Sequence, residues 1–297
     1  MTVNGCTARC DYCYKNNSNT PPTNMSFDTF KTILEKMPPV LTQVAFGVTD
    51  ETTNPEMIRM MEYCRKKGVI PNVTINGRRL NNQIADEFKK LLGAIAISAH
   101  PADKQLCYDT VEKLTAQGMQ QVNIHVVVSK ESMDFVYELV DDIKRDKRLQ
   151  HLNALVFLGI KPKGRAKNSH TPLNQPGFNK LIEVCQTKNI PYGFDSCSAP
   201  KFANSFRQSN LSKPIKNQIL TMTESCESGL FSAYIDVHGR FWPCSFAKGE
   251  PGVTPLDVIQ AGDFTTHVWN HQATRKFREQ LLSTSEESIR KCIIFNL

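Results

Sequence analysis

Short apolar runs alternate with amphipathic helical patterns between residues 43 and 187, and this alternation limits the fold more than any other feature. Each short apolar run predicts a buried strand, and the strands alternate with helices as in βαβ units of a parallel sheet. The predicted strands are Gln43–Val48, Asn72–Ile75, Ala94–Ala99, Val122–Ser129 and Ala154–Lys161. The predicted helices are Pro55–Lys67, Asn82–Leu92, Tyr108–Gln117, Met133–Arg145 and Phe178–Thr187.

The number of these units predicts an open barrel. A short strand before Cys6 brings the count to about six, which is too few for a closed eight-stranded barrel, so we expect an α/β fold with a partial, TIM-like (β/α)6 barrel over residues 1–195. Beyond residue 195 the pattern breaks, and residues 202–216 are polar. Residues 233–246 alternate around His238-Gly239 and predict a β-hairpin, followed by a helix over Trp269–Leu282. Residues 196–297 therefore form a second, small α+β unit in this prediction.

Composition narrows the class of protein. The chain has 297 residues, begins without a basic and apolar leader, and contains no long apolar run, so we expect a cytoplasmic protein without a membrane span. Ten cysteines in such a protein indicate metal binding or catalysis, because the cytosol keeps thiols reduced. The net charge is +7, but the basic residues are scattered, which favours a solvated surface over a nucleic-acid interface.

Three of the cysteines form the motif C-x3-C-x2-C, with Cys6, Cys10 and Cys13 close to the start of the chain. Thiolates on one short loop can converge on an iron–sulfur cluster. Three ligands on a four-iron cube leave one iron open, and open coordination positions are where metal sites perform chemistry. A zinc site with a fourth ligand elsewhere in the chain is the alternative.

This motif, with Tyr12 before its last cysteine and a βα array after it, resembles the radical SAM superfamily over about residues 1–190. The resemblance implies that Cys6, Cys10 and Cys13 hold a [4Fe-4S] cluster. S-adenosylmethionine (SAM) would bind the fourth iron, and its reductive cleavage would give a 5′-deoxyadenosyl radical that abstracts a substrate hydrogen. No catalytic residue is assigned beyond the cluster.

The positions that contact SAM match the family only in part. Where the family has Gly-Gly-Glu-Pro after the second strand, this chain has Gly-Val-Thr-Asp-Glu at residues 47–51. Strand alternation puts Ser98 and His125 on the barrel-facing side of their strands, and Asn76 and Arg165 follow strand ends. For His125 a core hydrogen bond is the alternative, and for Arg165 a solvated loop. The candidate SAM contacts are Tyr12, Gly47, Thr49, Asn76, Ser98, His125 and Arg165.

A second set of cysteines lies in the C-terminal unit. Cys226 and the hairpin motif Gly239-x4-Cys244 resemble the SPASM/twitch extension of radical SAM enzymes, which binds an auxiliary cluster. The extension usually supplies a later C-x2-C, but here Cys292 stands alone, and Cys197 is the natural substitute. The auxiliary cluster would have either four thiolate ligands, or three thiolate ligands and one open iron. The resemblance gives the auxiliary [4Fe-4S] ligands as Cys197, Cys226, Cys244 and Cys292, which leaves Cys64, Cys107 and Cys185 as buried apolar residues.

The resemblance implies a radical SAM enzyme with SAM as cofactor and flavodoxin or ferredoxin as electron donor. Many enzymes with this extension modify ribosomally made peptides, so peptide or protein modification is the expected function, with the auxiliary cluster relaying an electron. Modification or dehydrogenation of a sugar or nucleotide is the enzymatic alternative. A non-catalytic metal protein that binds nucleic acid is the alternative from another class.

Overall fold

A six-stranded parallel sheet is the centre of the fold. The structure is a computed structural model that describes residues 1–295. In chain order the strands are β1 (Thr2–Val3), β2 (Thr23–Asn24), β3 (Gln43–Gly47), β4 (Ile70–Ile75), β5 (Ile95–Ala99), β6 (Val122–Val128), β7 (Ala154–Gly159), β8 (Tyr192–Phe194), β9 (Tyr234–Ile235), β10 (Arg240–Trp242) and β11 (Leu256–Asp257). The α-helices are α1 (Phe27–Lys36), α2 (Met57–Lys66), α3 (Asn82–Leu91), α4 (Lys104–Ala116), α5 (Met133–Arg145), α6 (Gln175–Thr187), α7 (Ala199–Gln208), α8 (Lys213–Thr221) and α9 (Gln272–Ser283).

The sheet follows chain order from β3 to β8, and every neighbouring pair in it is parallel. Sequential parallel strands with helical crossovers give the partial TIM-like barrel that the sequence predicts. Ile95 and Ile97 of β5 are at most 1% exposed, while Ser98 pairs with His125 of β6 and is half-buried. One side of these strands is therefore apolar core, and the other carries polar groups.

The strand before Cys6 was predicted to belong to this sheet, and that prediction is wrong. β1 pairs antiparallel with β2 in a separate two-stranded ribbon, and β8 is the sixth strand of the parallel sheet. The physical reason is a turn directly after β1, where Asn4 and Gly5 have φ values of 62° and 65°. A side chain on Gly5 would lie 2.8 Å from Thr53, so only glycine fits this turn.

Helices α7 and α8 occupy most of the polar segment after residue 195, for which the sequence predicted no secondary structure. Pro200 and Pro214 occupy the first turns of these helices, where proline is well tolerated. Ala199, Ala203 and Phe206 form the buried face of α7, and two alanines and one phenylalanine make too weak an apolar pattern to predict a helix. The last helix, α9, begins later than predicted, because Thr265–Trp269 forms a π-helical turn before it.

The C-terminal unit packs against the sheet and its helices. β9, β10 and β11 form an antiparallel sheet that contains the predicted hairpin. Phe241 and Val258 belong to the same apolar core as Phe46 of β3. Lys36 of α1 donates hydrogen bonds to backbone carbonyls of the unit, including that of Ala261 at 2.6 Å. The boundary at 195/196 stays a prediction, and the last two residues of the predicted second domain lie outside the described residues.

Within residues 1–295, no helix combines the length and apolar character that crossing a bilayer requires.

A buried carboxylate organises the hairpin of the C-terminal unit. Asp236, whose side chain is fully buried, accepts hydrogen bonds from the backbone of His238 and Arg240, from Trp242 Nε1 and from Lys248 Nζ. Burial alone raises its pKa, but these donors outweigh burial and hold the pKa at about 2, below the usual 3.8. This stabilisation is present above about pH 4 and is lost as the pH falls through about 2.

We expect Asp236→Ala to lower the free energy of unfolding by about 3 kcal/mol at pH 7, because the variant leaves the buried indole N–H of Trp242 and two backbone N–H groups without their acceptor. Denaturant unfolding followed by circular dichroism measures this. Glu183→Ala, an exposed carboxylate on α6, is the control and should change stability by less than about 0.5 kcal/mol. Equal stabilities of the two variants would show that Asp236 does not organise the hairpin.

Candidate active site

The carboxyl ends of the parallel strands open into a cavity of about 690 Å³, closed on the other side by the C-terminal unit. Parallel βα folds place their sites at this end of the strands, and the volume is within the range of small-molecule sites. All of the site residues predicted from the sequence line it: Cys6, Cys10, Tyr12, Cys13, Gly47, Thr49, Asn76, Ser98, His125, Arg165, Cys197, Cys226, Cys244 and Cys292.

The loop that carries Cys6, Cys10 and Cys13 is held by the segment after β7. Arg165 donates from Nε to the carbonyl of Cys10 at 2.8 Å and from Nη1 to the carbonyl of Asn17 at 3.0 Å. Its backbone N–H donates to the carbonyl of Cys13 at 3.1 Å. The predicted SAM contact Arg165 therefore positions the cysteine loop, although it also lines the cavity.

The residue before Arg165 fits under the same loop because it lacks a side chain. A Cβ on Gly164 would lie 2.5 Å from the carbonyl oxygen of Cys13 and 2.6 Å from that of Tyr14. The φ of Gly164 is also positive, at 61°. Glycine is therefore required here by both backbone conformation and close approach.

Buried carboxylates after β3 hold the other side of the cysteine loop. Asp50 accepts a hydrogen bond from the backbone N–H of Thr7 at 3.1 Å and one from Asn76 Nδ2 at 2.6 Å. Glu51 accepts from the backbone N–H groups of Gly77 and Arg79 at 2.6 and 2.8 Å. Both carboxylates are 1% exposed. Asp50 and Glu51, where this chain departs from the family pattern, thus connect the cysteine loop to the loop after β4.

Some of the candidate SAM contacts already form hydrogen bonds within the protein, and others do not. Thr49 Oγ1 donates to the carbonyl of Asn4 at 3.0 Å. The amide of Asn76 is engaged at both ends, by Asp50 and by the backbone N–H of Arg78. Ser98 and His125 lie side by side on neighbouring strands and line the cavity. Burial lowers the pKa of His125 to about 4, with Asp195 opposing, so the imidazole is neutral at pH 7.

Burial also favours the protonated form of Cys6, Cys10 and Cys197 in the absence of a metal. It raises the pKa of Cys10 to about 12, with Cys13 and Cys6 adding to the effect, and it raises the pKa of Cys6. Burial likewise raises the pKa of Cys197 to about 12. Thiols ligate metals as thiolates, so metal binding at either set would release protons.

Cys10 has a histidine beside it. His100 Nδ1 and Nε2 lie 3.6 and 3.7 Å from Cys10 Sγ, and the Tyr12 hydroxyl is hydrogen-bonded to His100 Nδ1. We assign the hydroxyl as donor to Nδ1, so Nε2, 3.7 Å from the sulfur, carries the ring hydrogen. Burial lowers the pKa of His100, so the ring is neutral. His170 packs edge-on against the other side of Tyr12, with ring centroids 5.4 Å apart.

The four cysteines of the C-terminal set converge on the same cavity from separate segments. A negative charge on Cys292 would raise the pKa of Cys197 and of Cys244, and a charge on Cys226 would raise the pKa of Cys197 and of Cys292. The Cys226 thiol donates to Ser228 Oγ at 3.4 Å. Within residues 1–295, no three ligand-type side chains are grouped closely enough to hold a single metal ion. Thiols are the ligands of iron–sulfur clusters, so the donor set fits a cluster.

A buried ion pair lies between the two cysteine sets. Lys161, which is 4% exposed, is paired with Asp195, and the Ser198 hydroxyl donates to the same carboxylate at 2.6 Å. Burial lowers the pKa of Lys161, but Asp195 and Cys197 together outweigh burial, so the pKa is raised. Lys161 also lies over the Phe246 ring, 5.1 Å from its centroid. Both charged groups line the cavity and neutralise each other.

Sequence reasoning missed some residues of this site. His100 continues the alternation of Ala96 and Ser98 beyond β5, so the period of two would have found it. Asp195 and Lys15 carry no comparable signal, because their roles depend on contacts with residues far away in the chain.

The family of the N-terminal part is decided by a sequence comparison. The sequence model of the Radical SAM superfamily matches residues 1–143. The chain carries a Radical SAM domain. A search of curated proteins finds no sequence relative.

Solved structures share the fold of the whole described chain, including the part after the Radical SAM match. SuiB of Streptococcus suis bound to S-adenosylmethionine is 13% identical with a TM-score of 0.69, covering 98% of this chain and 75% of SuiB. SuiB bound to the precursor peptide SuiA is 12% identical with a TM-score of 0.68, and the match covers 98% of this chain and 74% of SuiB. anSMEcpe with bound AdoMet and the Kp18Cys peptide is 12% identical with a TM-score of 0.65, and the match covers 93% of this chain and 80% of anSMEcpe. The Radical SAM domain and its C-terminal extension thus have counterparts in both proteins.

The fit of Gly164 under the cysteine loop of the Radical SAM domain gives a prediction. We expect Gly164→Ala to displace the loop and to lower the iron content of the anaerobically reconstituted protein to about half, because the new methyl group overlaps two carbonyls. Iron per chain, measured by atomic absorption, tests this.

Gly249→Ala is the matched control. Gly249 also has a positive φ, of 78°, but nothing lies within 4 Å of its added Cβ. It reproduces the backbone strain without the overlap, so its iron content should equal that of the wild type. Full iron in Gly164→Ala would contradict the proposed role of this contact.

Proposed function

We propose that this protein is a radical SAM enzyme that modifies a peptide or protein substrate. The observation that carries the proposal is that both cysteine sets, from a Radical SAM domain and from its C-terminal extension, line one cavity. In this proposal Cys6, Cys10 and Cys13 hold a [4Fe-4S] cluster with one iron open to SAM. Such a cluster, when bound and reduced, would supply the electron that breaks a carbon–sulfur bond of SAM to give methionine and a 5′-deoxyadenosyl radical.

The residues of the chain would bind and orient the reactants. Ser98 and the neutral His125 present polar groups to the cavity beside Gly47, where an added Cβ would meet only Lys15. Arg165 and Asp50 fix the backbone of the cysteine loop, so the thiols are positioned before any ligand arrives. The C-terminal unit lines the cavity opposite the strand ends, and this wall would limit the access of bulk water to a reactive radical.

The C-terminal thiols support the second part of the proposal. Cys197, Cys226, Cys244 and Cys292 would hold an auxiliary cluster with four protein ligands, next to the same cavity. This position suits relay of the electron that the substrate loses after hydrogen abstraction. A flavodoxin or ferredoxin would supply the electron for SAM cleavage.

A peptide is the substrate class that the comparisons favour. SuiB was solved with a precursor peptide and anSMEcpe with the Kp18Cys peptide, and both share the fold of this chain. We therefore prefer a peptide to the sugar or nucleotide that the sequence left open.

The proposal predicts different losses from the two cysteine sets. Two four-iron clusters give about eight irons per chain after anaerobic reconstitution, and dithionite with SAM should then yield 5′-deoxyadenosine. Cys10→Ala should abolish 5′-deoxyadenosine formation, whereas Cys226→Ala should remove about half of the iron. Iron analysis and chromatography of the reaction measure these outcomes.

Cys107→Ala is the control, since this thiol is 1% exposed in the apolar core away from both sets. It should retain the iron and the 5′-deoxyadenosine of the wild type. Bound zinc without iron, or a reduced cluster that forms no 5′-deoxyadenosine, would refute the proposal.

The contact between His100 and Cys10 predicts a shift in reduction potential. A hydrogen bond to a ligand sulfur stabilises the more negative, reduced cluster. We expect His100→Phe to lower the midpoint potential of the SAM-binding cluster by about 59 mV, which is a tenfold change for one electron. Potentiometric titration followed by electron paramagnetic resonance measures it.

His170→Phe serves as the control for this shift. His170 packs on the same Tyr12 but hydrogen-bonds to Ser169 rather than to a cysteine. Its replacement should leave the potential unchanged, and equal potentials in both variants would exclude the hydrogen bond as a cause.

A further inference from the structure

Lys15 places an ammonium group in the cavity two residues after Cys13. Its Nζ donates to the Tyr234 hydroxyl at 3.3 Å. It also lies over the rings of Tyr234 and Tyr14, 5.0 and 5.5 Å from their centroids. A Cβ added to Gly47 would be 3.8 Å from Nζ. The ammonium therefore stands between the strand end at Gly47 and the hairpin of the C-terminal unit.

The other two cationic side chains that line the cavity already have partners within the protein. Lys161 is paired with Asp195, and Arg165 donates to the backbone carbonyls of Cys10 and Asn17. Among the described residues, Lys15 forms no ion pair with a carboxylate, unlike Lys161. An ammonium has three donors, and the Tyr234 hydroxyl uses one of them. Lys15 thus offers a positive charge and free donors to a molecule in the cavity.

We propose that Lys15 binds a carboxylate of the substrate, so that the peptide carries an Asp or Glu residue at the modified position or next to it. This inference rests on the proposed function, because it assumes a peptide in the cavity. A charge-assisted hydrogen bond in a partly dry site discriminates strongly between a carboxylate and its neutral amide. The two aromatic rings hold the ammonium in place, so little side-chain freedom is lost on binding.

A carboxylate in this cavity can come from the substrate or from SAM itself. Tyr234, the hydrogen-bond partner of Lys15, belongs to the C-terminal hairpin and not to the Radical SAM domain match at residues 1–143. This contact directs the ammonium toward the side of the cavity that the extension builds, which favours the substrate. The experiment below separates the two sources.

The test is a binding selection that requires no SAM cleavage. An mRNA-displayed library of random decapeptides is selected on the anaerobically reconstituted full chain, using the wild type, Lys15→Met, Lys15→Glu and the control Lys66→Met. Lys66 is an exposed lysine at the end of α2. We expect the wild type and Lys66→Met to enrich Asp or Glu at one position by about tenfold over Gln or Asn. Lys15→Met should lose this preference, and Lys15→Glu should reverse it toward Lys or Arg.

Equilibrium dialysis with labelled SAM is the second arm. We expect the affinity for SAM to change by less than about twofold in Lys15→Met. A loss of SAM affinity of tenfold or more, with an unchanged peptide preference, would assign Lys15 to the SAM carboxylate and overturn the proposal. Iron content and thermal melting confirm that each variant is folded, and the reversal in Lys15→Glu cannot arise from misfolding.

Two further outcomes of the peptide selection would overturn the proposal. The same peptide preference in all four proteins would make Lys15 a purely structural link to Tyr234 and would overturn the proposal. If no peptide is enriched by the wild type, the peptide carboxylate is refuted, while 5′-deoxyadenosine formation still reports separately on the radical SAM function.

Discussion

The hydrogen bonds that hold the cysteine loop are the constraint on which the rest of the site depends. The loop has no regular secondary structure, so its backbone groups need partners from elsewhere. Arg165 supplies donors from the segment after β7, and Asp50 supplies an acceptor from the segment after β3. The N–H of Cys6 donates to the carbonyl of Ser18 at 3.0 Å. The thiols are therefore positioned by strand ends that lie far apart in the chain but at the same end of the sheet.

This arrangement explains why charged residues are buried at the strand ends. Asp50 accepts hydrogen bonds from more than one group, and Asp195 has both Lys161 and Ser198 as partners. Buried charges persist only when they are paired and hydrogen-bonded. Lys161 follows β7 whereas Asp195 follows β8, and Asn76 follows β4 whereas Asp50 follows β3, so removing one of these carboxylates loosens two segments at once. The chemistry of the cavity and the stability of its walls are thus connected through the same side chains.

Most of the sheet could be predicted from the sequence because each unit has a local period, as in β5, where Ile95 and Ile97 are buried on one side. The thiol motif was equally readable, since its residue types and spacing lie within one short loop. The membership of β1 could not be predicted, because a local turn at Asn4 and Gly5 overrides strand propensity. The role of Arg165 was also hidden. A guanidinium at a strand end suits a bound carboxylate as well as a backbone carbonyl, and only the tertiary structure distinguishes them.

The C-terminal unit shows how metal binding and folding can be coupled in the proposed enzyme. Parts of it rest on very small apolar clusters, such as Cys226 with Phe277 and Leu281. Its thiols come from segments separated by long stretches of chain, and burial raises the pKa of Cys197 and Cys292. A cluster that joins them closes several loops at once, which stabilises a fold chiefly by restricting the unfolded chain. The thiols that would relay an electron would then also hold together the wall that covers the cavity.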